Sequence, residues 1–158
     1  STLFPYTTLF RSLFGISACV MIGYKMPGDK PLLVSLTRNP CYGTCPVYQI
    51  RIFTDGNFIY EGRQHAPLAG LFCGKLPGYE LKRLVKVLER ANFMQLDNSY
   101  PSQDIVPADI PSIDISYNTG NNSSKTIRDY NWNTPEPLKE AIRYVDSVAL
   151  IYPLRLCK

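Results

Sequence analysis

Apolar and polar positions alternate along some stretches of this chain and recur at helical spacing along two others. Val47–Phe53 and Asn57–Arg63 flank Asp55-Gly56, a pair that favours a tight hairpin turn. A three-residue loop, Thr54-Asp55-Gly56 with Gly56 left-handed, sets Ile52 opposite Phe58 and Ile50 opposite Tyr60. Gln49, Arg51, Glu61 and Arg63 then share the other face with Ile59. A two-residue loop shifts the pairing by one and mixes the faces, so the amphipathic split selects the longer turn. Leu32–Leu36 reads as a short buried strand, and Leu71–Leu76 as another despite Gly74. Ser112–Tyr117 sets Ile113, Ile115 and Tyr117 against Asp114 and Ser116, and Lys125–Tyr130 returns beyond the loop tip "NTGNNSS".

The helical spacing comes next. Pro77-Gly78 opens a helix that runs to Asn92, with Leu81, Leu84, Val85 and Leu88 forming one apolar stripe. Lys82, Arg83, Lys86, Glu89 and Arg90 fall mostly on the solvated side. Thr134 is expected to cap a second helix, with Pro135 at its first position and Glu136 in its first turn. Leu138, Ile142, Val145 and Ala149 line its buried side. The elements predict an α+β fold: a mainly antiparallel sheet of two hairpins plus one or two extra strands, with two helices on one face.

The ends of the chain divide differently. Ser1–Ser12, "STLFPYTTLFRS", reads codon by codon as the translation of a short-read sequencing adapter and is expected to be an artefact. Leu13–Tyr24 is an apolar run too short to cross a bilayer, which takes about 20 residues. It has the character of a truncated secretory signal, and Ile16-Ser17-Ala18-Cys19 resembles a lipobox, which makes Cys19 a candidate for lipidation. Lys25–Pro31 reads as a linker, residues 32–150 as one domain and residues 151–158 as a C-terminal tail. The expected location is therefore outside the cytoplasm, in the periplasm or on a membrane through a lipid anchor.

Composition narrows the function. The hydrophobic content of 45% argues against a disordered chain. The formal charge of +4 is scattered among acids rather than gathered in a stripe, so no nucleic-acid partner is expected. The single histidine, His65, and the lack of a second closely spaced cysteine pair argue against zinc, and no cofactor is implied.

Five cysteines carry the remaining chemistry. Cys41 and Cys45 stand four positions apart in "NPCYGTCPVY". Redox dithiols use two intervening residues and a helix N-terminus that lowers the thiol pKa, whereas Cys45 precedes Pro46 and a strand. A structural disulfide is the simpler reading, because Gly43 lets the backbone bend enough to bring the two Cβ atoms together. Cys73 and Cys157 either pair or stay free. Asp109, with Asp129 and Tyr130, offers two carboxylates and a phenol for acid–base work should folding unite them. Otherwise Asp109 shapes an Asx-Pro turn, and Asp129 pairs with Arg128 or Lys125.

The chain resembles a bacterial domain of unknown function, family 6438, from Leu32 to Val148. Pro40, Cys41, Gly43, Thr44, Cys45, Pro46 and Tyr48 fit its Pro-Cys-Phe-Gly-Thr-Cys-Pro-x-Tyr signature, with Tyr42 in the aromatic slot. Asp109 and Pro111 fit an Asp-x-Pro element, and Asp129-Tyr130 an Asp-Tyr element. "NWNTPEP" departs from the Gly-Ala-Pro stretch that the family carries before its last helix. The resemblance implies a short exported or lipid-anchored protein and transfers no catalytic residue. A non-enzymatic envelope module that binds an envelope protein or ligand is thus expected. The alternatives are a small enzyme or inhibitor using Asp109, Asp129 and Tyr130, or thiol–disulfide exchange at Cys41 and Cys45.

Overall fold

The computed structural model describes residues 29–102, 106–107, 109–121 and 123–157. The adapter-like segment, the lipobox with Cys19 and most of the linker lie outside the described residues.

Eight strands form one sheet: β1 (Leu32–Arg38), β2 (Tyr48–Phe53), β3 (Asn57–Gly62), β4 (Gly70–Lys75), β5 (Ser99–Tyr100), β6 (Ile113–Asn118), β7 (Ser124–Asp129) and β8 (Arg155–Leu156). Two helices complete the fold, α1 (Gly78–Arg90) and α2 (Glu136–Ile151), with a single 3-10 turn at Phe93–Gln95. The spatial order is β5-β7-β6-β1-β2-β3-β4-β8. All neighbours run antiparallel except β5 beside β7. This is the α+β architecture that the alternating and helical patterns predict.

The first hairpin has the register its amphipathic split requires, with Ile50 opposite Tyr60 and Ile52 opposite Phe58. Gly56 closes the turn at φ 83°, a conformation that glycine adopts without strain. Val34 and Leu36 on β1, Ile50 and Ile52 on β2, Phe58 and Tyr60 on β3, and Ile115, Tyr117 and Ile127 from the second hairpin join one buried cluster. Leu138, Ala141, Ile142, Val145 and Val148 of α2 close it from above. Each large aliphatic side chain removed from water here contributes about 1.5–3 kcal/mol before ordering costs. Gly74 does not weaken β4, because the ring of Phe58 occupies the space a Cβ would need, with Cζ at 2.3 Å.

Three sequence readings need correction. Helix α1 buries Leu84, Val87 and Leu88, with Leu81 and Val85 only partly covered. Its contacts run to α2 and the 3-10 turn, which rotates the buried arc toward Val87. Thr134 does not cap α2; Pro135 occupies that position, Pro137 stands in the first turn, and the Thr134 hydroxyl bonds Asp129 instead. The segment read as a C-terminal tail is part of the sheet, since Phe72 pairs with Leu156 and Cys73 with Arg155. Cys157 is disulfide-bonded to Cys73, Cα to Cα 5.2 Å, which holds this short strand in place.

Candidate functional site

The Cys41–Cys45 loop connects β1 to β2. Its two cysteines are bridged with their Cα atoms 5.8 Å apart. Gly43 has φ 137° and no atom within 4 Å of a would-be Cβ, so glycine is required for its backbone angle rather than for space. Pro40, Tyr42, Gly43, Thr44 and Pro46 are exposed, and the Tyr42 ring is 93% exposed. The backbone N–H of Tyr42 donates to the carbonyl of Asp109 at 2.9 Å, and the N–H of Asn39 donates to Ser112 O at 2.9 Å. Two loops far apart in sequence are thereby docked together.

Beside this junction lies a cleft of about 530 Å³, a volume suited to a small ligand. Cys45 and Pro46 come from the disulfide loop, Pro111 and Ile113 from the entry to β6, and Asp129 and Tyr130 from the end of β7. Lys139, Ile142 and Arg143 of α2 form the facing wall, spaced so that all three lie on one side of the helix. Arg38 and Asn39, at the end of β1, close one end.

Polar groups set the cleft's shape. Arg38 forms an ion pair with Asp146 on α2, and Tyr48 donates to the same carboxylate at 3.0 Å. The Arg38 guanidinium also lies 5.7 Å from the centre of the Tyr48 ring. Burial pushes the Tyr48 phenol up to about 12, and the Asp146 charge adds to the shift. This trio ties α2 to β1 and β2 at one end of the cleft. Nearby, Asn39 donates to Ser112 Oγ and Asp114 Oδ2, both at 3.1 Å. Asp114 accepts two bonds from Arg128, at 2.7 and 2.8 Å, and these hold its carboxyl below the usual range despite opposing burial.

Asp129 is the buried carboxylate of the cleft, 2% exposed. Its Oδ1 accepts from the Asn131 N–H at 2.9 Å and from the Thr134 hydroxyl. Asp129 therefore does not pair with Arg128, which is committed to Asp114, nor with Lys125, which donates to the carbonyls of Met94 and Leu96. Asp109 stays outside the cleft. It is exposed, at φ 63°, and meets the disulfide loop through its carbonyl rather than its carboxylate. The structure thus unites Asp129 and Tyr130 and leaves Asp109 apart from them. His65 is exposed on the β3–β4 connection. Among the described residues no three of His, Cys, Asp and Glu cluster as metal ligands, and no helix is long and apolar enough to cross a membrane.

The profile of the domain of unknown function DUF6438 matches residues 32–149. The chain belongs to that family. A search of curated proteins returns no match. The DUF6438 match begins with the first residue of β1 and ends near the last turn of α2, so β8 and Cys157 lie beyond it. Cys45, Pro46, Pro111, Asp129 and Tyr130, taken from three separate signature stretches, meet in one DUF6438 cleft. Arg38, Asn39, Lys139, Arg143 and Asp146 escaped sequence reasoning. Arg38 and Asn39 directly precede the cysteine loop, a position that signals involvement; the three on α2 carry no local signal.

Proposed function

We propose that this DUF6438 protein is an exported cell-envelope domain that binds a ligand, without turning it over, in the cleft between the disulfide loop and α2. The carrying observation is the convergence of the cysteine loop, Pro111, Asp129 and Tyr130 on one concavity. Pairing of all four described cysteines supports an oxidising compartment. The acid–base alternative retains Asp129 and Tyr130 in the cleft but loses Asp109, its second carboxylate. Thiol exchange at Cys41–Cys45 finds no support in the surroundings, since β2 rather than a helix follows Pro46.

Hydrogen–deuterium exchange of the oxidised chain, with and without an envelope extract, tests the binding reading. Added protection over residues 39–46 and 139–143 is expected; protection confined to other surfaces, or none, overturns it. Alkylation of the protein from its native cell tests export. Free, alkylatable thiols at Cys41, Cys45, Cys73 and Cys157 would reject that half of the proposal.

A further inference from the structure

The charges that line the cleft are not equivalent. Arg38 is paired with Asp146, which also accepts from Tyr48, and acts as a strut. Among the described residues Lys139 has only Glu136 as an ion-pair partner, at 4.0 Å, beyond hydrogen-bond reach. Arg143 is held by the same Glu136 at 2.6 Å, but its side chain is 63% exposed, so this ion pair exchanges readily with an incoming anion. Among the described residues, the only ion-pair partner of these two α2 cations is the exposed Glu136 carboxylate.

The opposite wall carries Asp129. Oδ1 receives two donors, while Oδ2 receives none from the described residues, although the carboxylate is 2% exposed and lines the cleft. Oδ2 is not among the side-chain atoms sealed from solvent without a partner, so it is open to a ligand, and an ammonium group offers it a charge-assisted hydrogen bond. Tyr130 beside it adds an aromatic ring of the type that attracts cations. Pro46, Pro111 and Ile113 add apolar lining without charge, and Ile142 adds more beside Lys139 and Arg143.

An anion alone would leave Asp129 opposing it, and a cation alone would meet Lys139 and Arg143. We propose that the cleft takes a zwitterion of the amino-acid type, as a free amino acid or a short peptide. Its ammonium lies on Asp129, its carboxylate on Lys139 and Arg143, and its apolar side chain against Ile113 and Ile142. This rests on the cleft being the binding site and adds the chemistry of what enters it.

Four probes separate the parts: leucine, leucyl-leucine, N-acetyl-leucyl-leucine and leucyl-leucinamide, each titrated into the oxidised full chain while backbone amide resonances are followed. At least one of the two unmodified zwitterions should shift resonances of residues 39–46 and 129–143. Whether leucine or the dipeptide binds more tightly tells a free amino acid from a peptide. Acetylation or amidation should each weaken binding about tenfold or more, the loss of one charge-assisted contact. Lys139→Gln/Arg143→Gln should erase the preference for the carboxylate over the amide and keep the preference for a free ammonium. Asp129→Asn should do the reverse. The Lys139/Arg143 pair is exposed enough to be changed without loss of folding should Asp129→Asn prove unstable.

Equal binding of the acetylated and free dipeptides overturns the proposal, as does failure of every probe to shift the cleft. If the probes fail but envelope extract still protects the cleft from exchange, the ligand chemistry is wrong and the cleft reading survives. If every probe fails to shift the cleft and envelope extract leaves it unprotected too, both fall.

Discussion

Both disulfides of this chain bridge cysteines at ordinary separation, yet they constrain very different lengths of chain. Cys73–Cys157 spans 84 residues and fastens the last strand to β4. Cys41–Cys45 spans 4 and encloses only its own loop. By the chain-entropy relation the first removes about 4.5 kcal/mol worth of freedom from the unfolded chain and the second about 2 kcal/mol. The short bridge borders the cleft, whereas the long one lies outside it. The contrast separates a bond that stabilises from a bond that shapes: the distant clasp fastens the last strand, and the local one fixes where Cys45 and Pro46 border the cleft.

The largest test is Cys73→Ala/Cys157→Ala. Urea unfolding should show a loss of about 4.5 kcal/mol, with faster amide exchange along β4 as β8 detaches. Cleft chemistry should survive in the folded fraction. Next, Cys41→Ala/Cys45→Ala should cost about 2 kcal/mol by the same measurement, yet weaken ligand binding far more than the first pair does. A stability loss equal to that of the long bridge, with binding intact, would break the comparison.

A smaller effect tests the strut beside the short loop. Because the Tyr48 pKa is raised from 10.0 to about 12, the folded chain holds this proton where the unfolded chain has released it. Its contribution is complete below pH 10 and is lost as pH climbs through about 12. Urea midpoints measured across that window should fall with pH, and Tyr48→Phe should flatten the slope. The smallest change expected is Arg128→Gln, about 1 kcal/mol or less for a pair whose Arg128 side is half exposed. Its signature is on the acid side. Asp114, held below 3.8 by Arg128, contributes stability above that pH and loses it as pH falls through the folded value, so the variant should show a weaker acid slope.

What the sequence disclosed follows the range of the interactions. The β2–β3 register was legible because turn geometry and a period of two agree within a dozen residues. The buried side of α2 was legible for the same reason, with Leu138, Ile142, Val145 and Ala149 all inside. Strands β5 and β8 were not, since two residues carry no periodicity and each exists only through its partner. The Thr134 cap failed because Asp129, five residues earlier, competed for the hydroxyl. The cleft was half visible: the cysteine loop, Pro111 and Asp129-Tyr130 stood out as motif residues. Lys139 and Arg143, which line the cleft, and Asp146, which pairs with Arg38, carry no local signal in the sequence.

The position of β1 has a temporal consequence. It is the first strand among the described residues, yet it lies mid-sheet, and one of its two neighbours is β6, so Val34 must wait for Tyr117. A nascent chain leaving the ribosome cannot complete this seam until most of the domain has been synthesised. Such non-local pairing slows folding. Strand order alone therefore sets how late this seam can close.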